Sequence, residues 1–163
     1  MRWLLVHVVA FDSGAVFETT RRRQQDRDEK RVGSGRAPGL LAWIGDEPVG
    51  WCAIAPRGEL VRLASARTFK PIDEQPVWSV TCFFVAKPYR RSGLTVQLLK
   101  AAVKFAARHG AKTVEGYPVD AKKKQPDVFM YTGLASAFRA AGFVEAARRA
   151  PTRPIMRWVI GEG

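Results

Sequence analysis

The chain has 163 residues, of which 47% are hydrophobic, and its 27 lysines and arginines exceed its 15 acidic residues to give a formal charge of +12. This length and composition predict a single globular domain, residues 1–163, and exclude a disordered chain. The positive charge favours an anionic partner, such as nucleic acid, a phosphorylated cofactor or an acidic substrate, without choosing among them. Two cysteines and two histidines show no metal-ligand spacing, so no metal is expected.

The N-terminal part begins with an apolar run, MRWLLVHVVAF, which predicts a first strand. The run is too short to span a bilayer, and no small-residue cleavage site follows it closely. These features predict a soluble, cytoplasmic protein with no membrane partner. The charged stretch ETTRRRQQDRDEKRVGSG then predicts a solvated helix that ends near Gly33.

The central part of the chain predicts three strands and one long loop. Residues 39–44 and 48–55 have strand-like composition, and the Gly-Asp pair between them suits a hairpin turn. Residues 56–75 are polar and irregular, which predicts a long loop, with a short helix within it as an alternative, of the kind that often borders a site. Residues 76–85 are rich in β-branched and aromatic side chains, as expected of a central strand.

The C-terminal half alternates helices and strands. An apolar stripe at helical spacing begins at Leu94 and predicts a helix that ends at Gly110. Beyond it the pattern predicts three strands, a basic connection and a short helix. The strands are residues 113–119, 143–149 and 152–160. The basic connection is residues 121–127, and the short helix is residues 134–141. This order of elements predicts an α/β fold with a mixed sheet.

The stretch VAKPYRRSGLTVQLLK, residues 85–100, joins the central strand to the helix after it. The first amide groups of a helix have no partners within it and carry partial positive charge. Gly93 lets a ligand approach the backbone, and Arg90, Arg91 and Ser92 add charge and donors. These features predict a pyrophosphate site, and an ordinary basic turn is the alternative. Neither a P-loop nor a G-x-G-x-x-G signature is present, which argues against those nucleotide folds.

The same stretch resembles motif A of the GNAT superfamily, the acetyl-CoA-dependent N-acetyltransferases. That motif, [Q/R]-x-x-G-x-[G/A], reads RRSGLT at residues 90–95, with a threonine in place of the last small residue. Residues 85–89, VAKPY, resemble the V-x-P-x-Y-R sequence that precedes this motif in the family. Residues 138–143, FRAAGF, resemble the family's Y-x-x-x-G-F motif. The element order is similar over nearly the whole chain, least so over residues 1–38. The resemblance implies the GNAT fold, a mixed, twisted sheet of six or seven strands with helices on both faces and two central strands that splay apart.

The resemblance also implies acetyl-CoA as cosubstrate. Backbone groups of the central strand would pair with the pantetheine arm, and the amides of residues 91–95 would cradle the pyrophosphate. A backbone amide near Phe84 or Val85 would polarise the thioester carbonyl. The residues expected at the cofactor lie on the strand end, the turn and the later short helix: Phe83, Phe84, Val85, Arg90, Arg91, Ser92, Gly93, Leu94, Thr95, Ser136 and Phe138.

Several side chains are candidates for proton transfer. The strand position that often carries the family's glutamate base is Ser79 here, which leaves Glu115 and Asp120 near the expected gap. A phenylalanine replaces the usual tyrosine acid, and Tyr131 and Tyr117 are the substitutes. Catalysis by proximity, with solvent carrying the protons, is the alternative. For each of these side chains, packing or an ion pair is the competing role.

Three functions are compatible with the sequence. The favoured one is an N-acetyltransferase that moves an acetyl group from acetyl-CoA to a primary amine, on a small molecule or a peptide, by direct attack in a ternary complex. A non-catalytic acyl-CoA sensor is the second, because the usual glutamate and tyrosine are absent. A basic nucleic-acid-binding module is the third, but the scattered basic residues match no recognised motif and argue against it. The resemblance also allows a homodimer, and the sequence specifies neither the amine nor the acyl chain length.

Overall fold

The structure, a computed structural model, describes residues 6–10, 39–60, 63, 65–120 and 131–161. The predicted charged helix and the predicted basic connection lie outside these residues. For the first strand only the backbone is described.

The described strands form one mixed sheet. In chain order they are β1 Val6–Ala10, β2 Gly39–Ile44, β3 Glu47–Pro56, β4 Trp78–Val85, β5 Thr113–Gly116, β6 Val144–Ala150 and β7 Arg153–Val159. Across the sheet the order is β1-β2-β3-β4-β5-β7-β6. Only β4 and β5 are parallel among these neighbours, and every other pair is antiparallel. The predicted α/β class with a mixed sheet is confirmed.

The parallel pair at the centre of the sheet is short, which produces the predicted splay. β4 pairs with β5 from Trp78 to Val80, whereas β4 itself continues to Val85. The strand predicted at 113–119 is therefore too long, because β5 ends at Gly116. Pro118 has no amide hydrogen for a ladder, and the amide of Val119 donates to the Gly133 carbonyl at 2.9 Å instead.

Two helices of the described residues pack on one face of the sheet. They are α1, Leu94–Arg108, and α2, Ala135–Ala141, close to their predicted positions. The apolar stripe of α1 and the buried side of α2 enter the same core cluster, together with Val80 and Val114 of the central strands. None of the described helices is both long and apolar enough to cross a membrane.

The opposite face carries a second, smaller core. Its buried residues are Leu63, Tyr117 and Ile155, and residues of the segment 57–75 pack against them. The segment contains two 3-10 turns, Arg57–Glu59 and Arg67–Phe69, within the long loop that the sequence predicts. Because side chains alternate along a strand, β5 directs Val114 toward the helices and its neighbour Glu115 toward this second face.

Candidate active site

The turn between β4 and α1 contains two residues with left-handed backbone conformation. A short 3-10 turn, Lys87–Tyr89, follows β4. Beyond it, Arg91 has φ of 62° and Gly93 has φ of 82°. A left-handed conformation costs a residue with a side chain about 1–2 kcal/mol, so the surrounding structure must impose it on Arg91. Left-handed residues in such a turn bring neighbouring amide groups to one side, as in anion-binding nests.

Helix α1 begins with amides that have no helical partner. Its first hydrogen bonds run from the amides of Val96 and Gln97 to the carbonyl of Gly93. The amides of Leu94 and Thr95 are therefore without a partner inside the helix, and the helix dipole adds positive potential there. The Leu94 side chain is buried in the core and anchors the helix start, while the turn before it is exposed. An anion can reach this end of the helix.

Two side chains of the turn bind the backbone of the turn itself. The Ser92 hydroxyl donates to the Tyr89 carbonyl at 2.6 Å, and Arg90 Nε donates to the Val85 carbonyl at 3.2 Å. Both residues were expected to contact phosphate, and in this structure they stabilise the turn. The Arg91 side chain is exposed beside them. Arg91 is thus the arginine best placed to meet a bound anion without disturbing the turn.

Beyond Val80, the backbone of β4 faces β3 on one side and the gap on the other. The Phe83 amide donates to the Tyr131 carbonyl at 2.6 Å, across the gap, and the Ala86 amide donates to β3 at 2.9 Å. Because successive backbone groups point to opposite sides of a strand, the Val85 amide points into the gap and the Phe84 amide points toward β3. Of the two amides predicted to polarise a thioester, that of Val85 has the suitable direction.

Two exposed aromatic side chains flank the gap. Phe84 is 51% exposed and Tyr131 is 54% exposed, whereas Phe83 is buried in the core. The hydrogen bond between the Tyr131 carbonyl and β4 holds Tyr131 beside the strand end. Tyr131 and Tyr117 were both predicted as acids, and of the two only Tyr131 has a side chain that reaches solvent at the gap.

Phe138, which occupies the position of the usual family tyrosine, is fully buried. A Cβ atom added to Gly116 would lie 2.1 Å from its ring, so the ring packs directly on the backbone of β5. Its ring centroid also lies 6.0 Å from that of Phe83 and 5.1 Å from that of Phe143. Phe138 thus holds α2 against the sheet. Ser136, the other cofactor residue predicted on this helix, is exposed and accessible to a ligand.

A buried polar network lies on the sheet face opposite the helices. The Tyr117 hydroxyl donates to Glu115 Oε2 at 3.0 Å and lies 2.9 Å from the Ser79 hydroxyl. Arg57 Nη1 donates to the same Tyr117 hydroxyl at 2.5 Å, and Arg57 also donates to the Phe69 carbonyl. Glu115 is 1% exposed and Tyr117 is 2% exposed. The structure therefore brings two predicted catalytic residues together with Ser79, but away from solvent.

Arg157 of β7 extends this network toward the surface. Its Nε donates to Glu115 Oε1 at 2.6 Å, and its two terminal nitrogens donate to the carboxylate of Asp73 at 2.6 and 2.9 Å. The Arg157 guanidinium lowers the pKa of the Asp73 carboxyl below its usual value. With Arg57 3.7 Å from Glu115, two arginines balance two carboxylates and fix the segment 57–75 on the sheet.

This environment suits a structural role for Glu115 and Tyr117 better than proton transfer. Burial, with the nearby Glu115 charge, raises the pKa of the Tyr117 hydroxyl, which therefore keeps its proton. Both oxygens of Glu115 already accept hydrogen bonds. Sequence reasoning named these two residues, placed Arg57 and Asp73 only in a loop that borders a site, and missed Arg157. The available signal was an arginine inside the apolar strand PIMRWV.

Asp120, the other candidate base, is ion-paired near the protein surface. Its carboxylate accepts from Arg139 at 3.0 Å and from Arg148 at 2.6 Å. These hydrogen bonds lower the pKa of Asp120, which makes it a weak base. The ion-pair role named as its alternative is the one the geometry supports. Among the described residues, no three His, Cys, Asp or Glu side chains lie close enough together to hold a metal ion.

Solved structures with a similar fold include acetyltransferases of the GNAT family. A GNAT family acetyltransferase from Elizabethkingia anophelis with acetyl-CoA bound is 14% identical, with a TM-score of 0.58 over 95% of this chain and 98% of that one. A GNAT family protein from Desulfovibrio desulfuricans is 17% identical, with a TM-score of 0.54 over 94% and 97%. Ard1 from Thermoplasma volcanium is 12% identical, with a TM-score of 0.53 over 94% and 97%. At these sequence identities the similarity shows a shared fold and no more.

Comparison of the sequence with family models gives a more specific result. No curated protein matched the sequence. The model of the acetyltransferase (GNAT) family matches residues 7–131, which is more than half of the chain and includes the splayed strands and the basic turn. The chain therefore belongs to the GNAT family of acetyltransferases.

Proposed function

We propose that the protein transfers an acetyl group from acetyl-CoA to a primary amine by direct attack in a ternary complex. The observation that carries this proposal is the separation of β4 from β5 after Val80, next to a turn with left-handed backbone at Arg91 and Gly93. Such a site offers strand-like backbone to an amide-containing arm and helix amides to a pyrophosphate. The family and the fold support the same assignment.

The proposed pose of acetyl-CoA follows the gap. The pantetheine arm runs from the turn to the end of β4 at Val85, beyond the Phe83 amide that binds the Tyr131 carbonyl, and the pyrophosphate lies against the amides of residues 91–95. The thioester carbonyl accepts a hydrogen bond from the Val85 amide, which points into the gap. In this structure Arg90 Nε donates a hydrogen bond to the Val85 carbonyl. That carbonyl has a second lone pair, so it can accept a pantetheine amide at the same time.

The chemical step is addition followed by elimination. The amine nitrogen forms a bond to the thioester carbon, and the carbonyl oxygen takes up negative charge, which the Val85 amide stabilises. Collapse of this adduct breaks the carbon–sulfur bond and yields the N-acetyl amine and the CoA thiolate. The attacking amine gives up one proton to solvent, and the thiolate gains one.

We assign the proton on the thiolate to Tyr131. It is the exposed tyrosine at the gap, and its phenol O–H can donate a proton to the departing sulfur. Glu115 and Tyr117 are sealed and hydrogen-bonded, and Asp120 is ion-paired, so none of the three is offered as the base. Orientation of the amine and the thioester then supplies most of the rate enhancement.

Calorimetric titration with acetyl-CoA tests the cofactor site. Gly93→Ala and Gly110→Ala form a matched pair, because both glycines have φ of 82°, both flank α1, and a Cβ atom at either would meet nothing within 4 Å. Equal backbone strain is expected, but only Gly93 lies at the proposed pyrophosphate. We expect one equivalent bound by the parent, about tenfold weaker binding by Gly93→Ala, and parental binding by Gly110→Ala. Failure of the parent to bind acetyl-CoA would overturn the proposal.

Thiol release with a panel of primary amines then distinguishes an enzyme from an acyl-CoA sensor. Tyr131→Phe is expected to lower kcat by about 100-fold with an unchanged Kd for acetyl-CoA. If Tyr131→Phe keeps the parental kcat, the assignment of the proton donor is wrong. Tight binding with no thiol release from any amine would favour the sensor.

A further inference from the structure

We propose that the acceptor amine also carries a carboxylate, and that Arg153 binds this group. The inference rests on the proposed function and concerns its second substrate. Arg153 is the first residue of β7 and is partly buried. Its Nη1 donates to the Thr132 hydroxyl at 3.1 Å, and Thr132 itself is buried.

Arg153 lies beside the gap in which the thioester is proposed to bind. Met156 of β7 pairs with Gly116, the last residue of β5, and further along the Asp120 amide donates to the Thr152 carbonyl at 2.9 Å. Arg153 therefore runs alongside the chain that continues β5 after the splay. Thr132, its hydrogen-bond partner, directly follows Tyr131, which binds the edge of β4. Two adjacent residues, Thr132 and Tyr131, and two hydrogen bonds thus connect the Arg153 guanidinium to β4 at the gap.

Arg153 also lies on the face from which an acceptor can approach. Alternation along β7 places it on the same face as Ile155 and Arg157, opposite the helices. The pyrophosphate site is at the N-terminus of α1, on the helix face of the sheet. A second substrate would therefore approach from the opposite face, part of which the segment 57–75 covers, and its amine would meet the thioester with Arg153 nearby.

The charge environment of Arg153 differs from that of most arginines around it. Arg149 donates to the carbonyls of Lys70 and Pro71, but four arginines on the second face or in the β6–β7 ion pairs have a carboxylate within 4 Å. These are Arg57, Arg139, Arg148 and Arg157. Within the described ranges, the acceptor that Arg153 meets is the neutral hydroxyl of Thr132.

A ligand carboxylate would complete this site. A guanidinium presents five N–H donors in a planar fork that matches the two oxygens of a carboxylate. A partly buried cation without a counter-charge is unfavourable, and an anionic ligand removes that cost. The chemical class that fits is an amino acid or another amine with a nearby carboxylate, rather than a diamine or an amino sugar.

Matched acceptors test this inference. Initial rates of thiol release would be measured with phenylalanine and phenethylamine, and with lysine and cadaverine, which differ by a carboxyl group. Comparing parent and Arg153→Gln for each acceptor cancels intrinsic differences in amine reactivity. We expect kcat/KM for the carboxylated member to fall about 10- to 100-fold in Arg153→Gln, and that for its decarboxylated partner to change less than about twofold. Arg153→Lys, which keeps the charge and loses the fork, should lie between.

Arg108→Gln is the control for net charge. Arg108 is exposed at the C-terminal end of α1, so its loss removes one positive charge far from the gap and should leave both acceptors unchanged. An equal loss for both members of a pair in Arg153→Gln would overturn the inference. So would failure of both carboxylated probes to react and to bind the acetyl-CoA complex. Binding of acetyl-CoA alone, measured beforehand, separates these outcomes from failure of the proposed function itself.

Discussion

Cys52 lies in the middle of β3 with no exposed surface, and burial raises the pKa of its thiol from 9.0 to about 12. The unfolded chain releases this proton near pH 9, whereas the folded protein keeps it until about pH 12. The unfolded state therefore binds fewer protons in this range, and the free energy of unfolding falls as the pH rises. We expect this thiol to contribute a fall of up to about 1.4 kcal/mol per pH unit above pH 9.

Urea unfolding from about pH 8 to about pH 11 measures this slope. Cys52→Ala should be less stable at pH 8, because it leaves a small cavity, and its stability should fall less steeply above pH 9. Cys82→Ala is the comparison, since it leaves the Cys52 contribution in place. An unchanged slope in Cys52→Ala would show that other groups, such as the buried Tyr117 hydroxyl with its raised pKa, dominate the alkaline loss of stability.

Helix α2 is held against β5 by contact between a ring and the strand backbone. A Cβ atom at Gly116 would lie 2.1 Å from Cε1 and 2.6 Å from Cζ of Phe138, far inside van der Waals contact. We therefore expect Gly116→Ala to lower the free energy of unfolding by about 3 kcal/mol, through displacement of α2 or of the strand. Thermal and urea unfolding would measure the loss.

A double-mutant cycle shows whether this contact is the cause. In the background of Phe138→Leu, which shortens the side chain at that point, Gly116→Ala should cost less, with a coupling of about 1–3 kcal/mol. Additive losses would instead indicate that the alanine acts on the unfolded chain or on β5 itself. Gly110→Ala, with open space around its Cβ position, should cost only about 1 kcal/mol from its left-handed backbone.

The elements that the sequence predicts well are those with local signals at both ends. The strand at 39–44 and the short helix after Leu134 are bounded by turn or cap residues, and the basic turn before Leu94 lies where the motif places it. The predicted end of β5 at residue 119 was wrong because the true end depends on Gly133, a residue of a later segment. The Gly133 carbonyl accepts the hydrogen bond of the Val119 amide. No local pattern contains that contact.

The polar network on the second face could not be predicted for the same physical reason. Arg157 and Asp73 are 84 positions apart, and Arg57 and Tyr117 are 60 positions apart. Only the sheet order and the alternation of side chains bring these residues together. From the sequence alone, each is predicted to be a surface charge or a packing residue. The strand position of Glu115 predicts a side chain near the gap, but its hydrogen-bond and ion-pair partners make it an anchor for the segment 57–75.

At the scale of the whole molecule, the formal charge of +12 acts on stability and on binding in opposite directions. Like charges on a compact protein repel one another, and the local ion pairs around Asp120 and Asp73 offset only part of this repulsion. The same positive field attracts a cosubstrate that carries several phosphate charges. Salt screens both effects, since the Debye length falls from about 10 Å at 0.1 M to about 3 Å at 1 M.

We therefore expect added sodium chloride, from about 0.05 to about 0.5 M, to raise Tm by a few degrees while weakening acetyl-CoA binding on the order of tenfold. Thermal unfolding and calorimetry on the same samples would measure the two responses. Gly93→Ala should keep the parental rise in Tm, because its net charge is the same, which separates the field of the whole molecule from the local site. If Tm falls with salt instead, the ion pairs outweigh the repulsion and the charge excess is not a stability cost. If the affinity for acetyl-CoA does not change with salt, the phosphates do not bind in the basic turn. Binding of several phosphate charges by an exposed arginine and helix amides must weaken as salt screens the attraction.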